Sequence, residues 1–319
     1  MDSTLDPKLQ ELLVKLQQKY AVMGQDMSSY LDGLLHSDYL TYWDYIHLDT
    51  LLSLQNPKTQ FPDERVFIAY HQVTELFFNL VLWEMEQMSA KENDAAFFLA
   101  RLERINRYFV ILADSFSVMT DGMERDQFLK FRMSLLPASG FQSAQYRLIE
   151  ICSTDMINLV DVQFRDDQAM AGNLELQLQH LYWRSGATEL ASGKKTLTLQ
   201  QFEQKYMKKF LEAGTQYQSK NLRRLFHTWF EKDEKIIQGL REFDQLANVY
   251  WPLAHMRSAA RYLHRDPEDI RATGGTNWQK YLPPRFQKVI FFPELWSEQE
   301  KAEWGRAGVE RALAGGGSR

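Results

Sequence analysis

The sequence has very little cysteine. Its 319 residues include one, Cys152, so an internal disulfide and a zinc site built from several cysteines are both excluded. A lone thiol fits a reducing compartment, and it leaves histidine as the best candidate for binding a soft metal ion. The N-terminus also lacks the basic and apolar segments of a secretory signal. These absences predict a cytoplasmic protein.

Proline and strand-like patterns are also scarce. Between Asp63 and Asp266 only Pro137 and Pro252 occur, and alternation of apolar and polar residues is nearly absent. This pattern predicts an all-α fold, a large helical bundle. No apolar run approaches the ~20 residues of a membrane span, and a net charge of -5 argues against nucleic acid as a partner.

The predicted organisation is one large domain with an appended helix. Residues 1–35 are predicted to form an N-terminal helical arm, 36–312 the all-α domain and 313–319 a disordered tail. Within the domain, apolar residues surround the predicted helix 63–90, which indicates a central position. The pattern from 221 to 263 predicts one very long helix, kinked by Pro252.

A helical segment ends in a sharp corner within Phe131–Glu150, FRMSLLPASGFQSAQYRLIE. Pro137 fixes φ and Gly140 permits positive φ, so the chain is expected to turn between two helices. Arg132 lies just before this turn. Its guanidinium matches a carboxylate in a two-point contact, which makes it a candidate carboxylate receptor. The alternative for a single arginine is a structural ion pair.

Two histidines stand out from the others. His71, in FIAYHQVTEL, lies on the predicted central helix with Phe67 one turn before it and Glu75 one turn after it. Its imidazole is therefore expected to face the interior. The alternative is a core histidine that is bonded to a neighbouring carbonyl or carboxylate.

The second histidine, His255, lies in WPLAHMRSAARYL. The small residues at 258–260 would leave room for a flat macrocycle one turn after the imidazole, which favours a role as a metal ligand. Pro252 frees a backbone carbonyl one turn earlier, and kinked helices are common where a helix is fitted to a site. The alternative is again a core histidine.

Two further motifs are less specific by themselves. RATGGTN, residues 271–277, has the look of a glycine-rich phosphate loop, but no strand precedes it and no Lys-Ser or Lys-Thr pair follows, so it is not a Walker motif. Its alternative is a surface loop. Tyr42 and Tyr45, in YWDYIHLDTLLSLQ, are a pair of a kind found more often at interfaces than in sites.

These motifs, in this order, resemble the tryptophan 2,3-dioxygenase family. The family's signatures are FR followed seven residues later by SGFQSAQYRxIE, the run FxxxHQxxEL, a Trp four residues before a His on a late helix, a GTGG loop and YxxYLxLDxLLxxQ. The resemblance covers roughly residues 42–296. It implies a haem-dependent enzyme that cleaves the indole 2,3 bond of L-tryptophan with O₂ to give N-formyl-L-kynurenine, the first step of the kynurenine route.

The resemblance also implies roles for single residues. His255 is expected to be the axial ligand of one haem b per subunit, and His71 to accept the indole N–H. Phe67 is expected to pack against the indole and the haem edge. Arg132 would bind the substrate carboxylate, and Thr273 would contact the ammonium and carboxylate end.

Other roles concern the pocket wall and the assembly. Ser139 and Gly140 would form part of the pocket wall, with Ser139 also close to the cofactor. In this family the segment with Tyr42 and Tyr45 reaches into the neighbouring subunit's active site. The resemblance therefore implies a homotetramer.

The chain departs from the family pattern in three places. Many members carry a tyrosine that helps to hold the substrate carboxylate where this chain has Phe128. One donor is therefore missing unless Tyr146 or the longer segment before Thr273 replaces it. Ala272 stands where the family's loop begins with glycine. The segment between His255 and Thr273 is longer than in many members.

Two other functions remain open at this point. One is a related haem enzyme of the same fold that hydroxylates or oxygenates another indole or aromatic amino acid. The other belongs to a different class, a haem-free helical scaffold in which both histidines are core residues and Arg132 forms an ion pair.

Overall fold

The computed structural model describes residues 6–36, 41–91, 93–133, 140–185, 187, 194–262 and 284–305. Across these residues the protein is helical, and no named strand occurs. An isolated antiparallel bridge joins Val160 and Leu181. The predicted all-α fold is confirmed.

The α-helices are Pro7–Val22, Met27–His36, Tyr42–Tyr45, Leu48–Leu52, Asp63–Ala90, Ala95–Ser115, Ser117–Thr120, Arg125–Met133, Ala144–Ser153, Leu174–Gln179, Tyr182–Ser185, Leu197–Tyr217, Leu222–Leu225, Glu234–Gln245, Trp251–Tyr262, Pro284–Gln287 and Glu298–Ala302. Short 3₁₀ helices span Gly140–Gln142, Met156–Leu159, Gln168–Met170 and Pro293–Leu295. Two π-helical segments span Phe226–Phe230 and Leu246–Tyr250.

The chain forms two compact units, Met1–Asn56 and Pro57–Arg319. In the first unit, helix Pro7–Val22 begins where the Asp6 side chain accepts a hydrogen bond from the Lys8 N–H at 3.2 Å. Its four described helices contain no buried residue. The predicted division into 1–35, 36–312 and 313–319 stays a prediction.

The core of the second unit forms where three long helices pack together. Helix Ala95–Ser115 lies against both Asp63–Ala90 and Glu234–Gln245. Their contact is made by buried aromatic rings, with Phe109 6.3 Å from Phe78 and 5.6 Å from Phe243 between ring centroids. Large buried rings of this kind dominate the hydrophobic stabilisation of a core.

Glycine 239 allows two of these helices to approach closely. A Cβ atom at Gly239 would come within 2.8 Å of the Leu102 side chain, so a larger residue would require movement there. The buried Asn106 side chain donates to the Gly239 carbonyl at 3.0 Å and so ties the same two helices together.

Helix Asp63–Ala90, hereafter the His71 helix, is long and apolar enough to span a membrane by length and composition alone. Part of its surface packs in the core. The fully buried Glu84 pairs with Arg101 at 3.3 Å and Arg104 at 2.9 Å, and Phe78, Val81 and Met85 are buried beside it. The predicted bounds of this helix agree with the structure.

The prediction of one continuous helix over 221–263 is wrong. The structure divides it at a turn before Asp233, which accepts from the backbone N–H groups of Lys235 and Ile236 and begins helix Glu234–Gln245. The π-helical segment Leu246–Tyr250, hereafter the π segment, then leads into helix Trp251–Tyr262, hereafter the His255 helix. Pro252 stands just after this change of register, as expected for a residue that disturbs helical hydrogen bonding.

Candidate functional site

The His71 imidazole has a defined tautomer. Its Nδ1 atom lies 2.7 Å from the Phe67 carbonyl oxygen, one turn earlier on the same helix. A carbonyl oxygen can only accept, so Nδ1 carries the proton and donates. In the neutral ring the remaining nitrogen, Nε2, is therefore an acceptor, and it has no hydrogen-bond partner among the described residues.

His71 lies in a recess of the protein. The residue is exposed, yet burial lowers its pKa below the ordinary value, while the Phe67 carbonyl and Glu75 act in the opposite direction. Both observations follow if the ring is surrounded by protein on most sides and open on one. The imidazole is therefore neutral at neutral pH, and its Nε2 atom is an acceptor.

His255 repeats this arrangement on the other helix. Its Nδ1 atom lies 3.2 Å from the Trp251 carbonyl oxygen, so Nδ1 donates here as well. Burial lowers the pKa of His255 to about 4, and the charges of His71 and Arg147 act in the same direction. His255 is thus a neutral, half-buried imidazole whose Nε2 lone pair has no hydrogen-bond partner among the described residues.

A chain of aromatic rings connects the two histidines. Tyr70 lies 6.1 Å from the His71 ring and 5.7 Å from Phe116 between centroids, and Phe116 lies 4.6 Å from His255. Trp251 packs against His255 at 4.5 Å. The structure therefore brings residues far apart in sequence to one site, close enough for a charge on one imidazole to affect the other.

Arg132 lies on the His71 side of this site. Phe67 packs on His71 at 4.1 Å and on Phe128 at 6.3 Å, and the Arg132 guanidinium lies 5.4 Å from the centre of the Phe128 ring. Phe131 closes the same group, 5.5 Å from both Phe67 and Phe128. A half-buried cation is thus held beside an apolar surface that begins at the imidazole of His71.

Comparison with known proteins agrees with the family resemblance of the sequence motifs. The family model described as tryptophan 2,3-dioxygenase matches residues 33–169. A protein named tryptophan 2,3-dioxygenase from Anaeromyxobacter dehalogenans (strain 2CP-C) is 30% identical over 280 residues, which are 83% of this chain and 97% of that protein. The chain belongs to the tryptophan 2,3-dioxygenase family.

Other relatives carry the same name. The protein from Ruegeria sp. (strain TM1040) is 27% identical over 274 residues, 82% of this chain and 92% of its own length. The one from Xenopus laevis is 36% identical over a shorter stretch of 124 residues, 35% of this chain and 30% of its own. The recognition of the tryptophan 2,3-dioxygenase family from the sequence motifs is confirmed.

The other residues predicted from the family motifs lie in three different places. Ser139 and Thr273 lie outside the described residues, whereas Gly140 begins the 3₁₀ helix Gly140–Gln142. Tyr42 and Tyr45 belong to the N-terminal unit, where they are 71% and 73% exposed. Among the predicted residues, those that the structure brings together at the site are His71, Phe67, Phe128, Arg132 and His255.

Tyr146 has a different role from the one considered for it. Its hydroxyl group donates to the Ala247 carbonyl at 2.7 Å, so its proton is already committed inside the protein. It does not replace the missing family tyrosine at position 128 as a donor to the substrate. The ring of Phe128, 5% exposed, instead offers Arg132 an aromatic face.

Sequence reasoning missed Tyr70 and Phe116 as parts of the site. Tyr70 is adjacent to His71 in the chain and its hydroxyl group lies 3.3 Å from the Ser115 hydroxyl, which holds the ring between the two helices. Phe116 occupies the short break between helices Ala95–Ser115 and Ser117–Thr120. The sequence pattern predicts one helix from about 94 to 119 here, so no local signal marked the break at Phe116.

Proposed function

We propose that this protein is a haem-dependent tryptophan 2,3-dioxygenase that cleaves the indole 2,3 bond of L-tryptophan with O₂ and releases N-formyl-L-kynurenine. The observation that carries the proposal is the pair of neutral imidazoles, His71 and His255. Each has Nδ1 committed to a backbone carbonyl, and the rings of Tyr70 and Phe116 join the two histidines. Family membership supports the same reaction.

The chemistry of the donor set fits haem b, with one haem expected per subunit. A neutral imidazole whose other nitrogen is fixed by a carbonyl is a common axial ligand of haem iron, and His255 meets both conditions. The rings of Phe116 and Trp251 beside it supply the apolar surroundings that a porphyrin requires. When bound, the haem supplies the activation of O₂.

His71 and Phe67 are proposed to hold the indole ring. The His71 Nε2 atom is an acceptor, so it suits the indole N–H, which can only donate. A neutral His71 is required for this bond, and burial maintains that state. Phe67, packed 4.1 Å from the imidazole, presents an aromatic surface for the indole and the haem edge.

The amino acid end of tryptophan is proposed to lie at Arg132. Its guanidinium pairs with the substrate carboxylate, and Phe128 keeps the pair in an apolar setting where a charged hydrogen bond is stronger than in water. Thr273 is proposed to contact the ammonium and carboxylate groups. Ser139 and Gly140 are proposed to complete the wall between this end of the pocket and the cofactor.

The proposed assembly is a homotetramer in the cytoplasm, in which Tyr42 and Tyr45 of one subunit reach the active site of the next. The high exposure of both tyrosines supports this arrangement. So does an apolar stripe on the His71 helix, where Val73, Leu76, Leu80 and Trp83 are each between 41% and 56% exposed. Sedimentation equilibrium tests the proposal, since a mass other than that of four chains contradicts it.

The deciding experiment for the reaction is incubation of the reduced, haem-loaded protein with L-tryptophan and O₂, followed by the absorbance of formylkynurenine. With ¹⁸O₂ the product is expected to carry two labelled atoms. One labelled atom would instead identify the related monooxygenase. A purified protein that shows no Soret band after incubation with haem would support the haem-free scaffold.

A further inference from the structure

The π segment leaves one backbone carbonyl without a helical donor. The Trp251 N–H bonds to the Leu246 carbonyl, five residues earlier, so it is not available to Ala247, its usual partner in an α-helix. In the π-helical pattern the Ala247 carbonyl would accept from the N–H of residue 252, but this residue is Pro252, which has no N–H. The Ala247 carbonyl therefore lacks both its α-helical and its π-helical partner. Ala247 is fully buried, so water does not replace them.

Tyr146 supplies the missing donor. Its hydroxyl oxygen lies 2.7 Å from the Ala247 carbonyl oxygen, and the residue is 6% exposed. The ring is held in place by Phe78, 5.3 Å away between centroids, and by the Arg147 guanidinium at 4.7 Å from its centre. Burial raises the pKa of Tyr146 well above its ordinary value, so the hydroxyl group remains a donor throughout the physiological range.

The register of the π segment decides the direction of His255. A π segment holds one extra residue in the helix, and removing that extra residue would rotate everything after it by about 100°. Trp251 transmits the register directly, because its N–H makes the π bond to Leu246 and its carbonyl accepts from His255 Nδ1.

We propose that Tyr146 is a positioning residue of the oxygenase site: its hydrogen bond to Ala247 holds the π segment in register and thereby directs the Nε2 atom of His255. The inference rests on the proposed function, in which His255 is the haem ligand. It assigns a role to the helix Ala144–Ser153, which begins just after the predicted substrate corner. The Tyr146 hydroxyl group connects this helix to the π segment that precedes the His255 helix.

The test replaces the hydroxyl group alone. Tyr146→Phe keeps the ring and its packing, and it is expected to shift the iron–histidine stretching band in the Raman spectrum of the ferrous protein. Haem release to an excess of an apoglobin should become about tenfold faster, since a buried carbonyl loses the donor that replaces its α-helical and π-helical partners. The matched control is Tyr108→Phe, which removes a half-buried hydroxyl group that donates to Glu84 at 3.3 Å.

Tyr108→Phe is expected to lower the melting temperature and leave the iron–histidine band in place, because its hydroxyl group bonds to Glu84 on the His71 helix and not to the π segment. A band that is unchanged in Tyr146→Phe, or shifted equally in both variants, overturns the inference and leaves the proposed function intact. A wild-type protein without a Soret band overturns both.

A second variant covers the case in which Tyr146→Phe does not fold. In the double variant Tyr146→Phe, Pro252→Ala, residue 252 gains an N–H that the Ala247 carbonyl accepts in the π pattern. The double variant is expected to fold, to bind haem and to show a band close to that of the wild type. Failure to recover either the fold or the band contradicts the assignment of the hydroxyl group to this carbonyl.

Discussion

His71 and His255 make the same local hydrogen bond, but the helices on which they lie differ in regularity. In both, Nδ1 donates to the carbonyl four residues earlier, at 2.7 Å and 3.2 Å. The His71 helix is one regular α-helix of 28 residues, whereas the His255 helix follows a π segment and contains Pro252. The tautomer of each ring is thus a local property, while the direction of His255 depends on contacts from other helices.

The largest effect should separate the two histidines. We expect His255→Ala to abolish haem binding, because it removes the only proposed bond to the iron, and His71→Ala to retain haem while losing activity. Haem content is measured from the Soret absorbance per chain. The control is His180→Ala, since His180 Nδ1 makes the same local bond to the Leu176 carbonyl at 3.0 Å outside the site. Equal haem loss in the variants of His71 and His255 contradicts the axial assignment.

The comparison also explains what the sequence could predict. The start of the His71 helix followed from Pro62 and Asp63, and the apolar residues around its circumference predicted a central position. The structure buries only part of that circumference and leaves Leu76, Leu80 and Trp83 partly exposed. The π segment did not follow, since Pro252 signals a disturbance and the choice of register depends on a distant donor, Tyr146. The proximity of His71 and His255 likewise depends on tertiary packing through Tyr70 and Phe116. Their roles were available from the family motifs and not from spacing.

The next largest effect is expected at Arg132, the proposed binding residue for the substrate carboxylate. Arg132→Leu is expected to lower kcat/KM for tryptophan. The loss corresponds to about 2–5 kcal/mol of transition-state stabilisation, because a buried carboxylate loses its charged partner. Tryptamine, which lacks the carboxylate, should be a poor substrate and nearly indifferent to the change. If tryptamine turnover falls as much as tryptophan turnover, Arg132 has a structural role.

The hydrogen bonds of Asp244 are expected to contribute to the stability of the helices that lead to His255. This fully buried carboxylate accepts from the backbone of Phe291 and Phe292 at 2.8 and 3.1 Å, and from the side chains of Trp296 and Asn248 at 3.0 and 2.8 Å. Asp244→Asn should destabilise the fold by about 3 kcal/mol, since an amide N–H₂ would face a donor.

Chemical denaturation measures the change in stability at Asp244. The matched control is Asp114→Asn on the exposed surface of helix Ala95–Ser115, where a change below about 0.5 kcal/mol is expected. Equal effects at the two positions would mean that the bonds of Asp244 contribute little.

Phe128 tests how completely the substrate carboxylate is held. Phe128→Tyr should lower KM for tryptophan roughly tenfold with little change in kcat, as expected for one added hydrogen bond to a charged group, about 1.5 kcal/mol. Tyr146 is not expected to mask the gain, because its hydroxyl group already donates to Ala247. A KM that is unchanged or raised would show that the carboxylate is bound differently here.

The smallest expected effect concerns the protonation of His71. An ordinary histidine is half protonated at pH 6.5, which would halve any rate that depends on the neutral ring. Burial lowers the pKa of His71, so kcat/KM for tryptophan should change less than twofold between pH 8 and pH 6.5 and fall only at lower pH. Glu75 acts to raise the pKa of His71, so Glu75→Gln should move the fall to still lower pH. A fall centred at or above pH 6.5 would mean that His71 is as open to water as a surface histidine, and its open side could not then be the indole pocket.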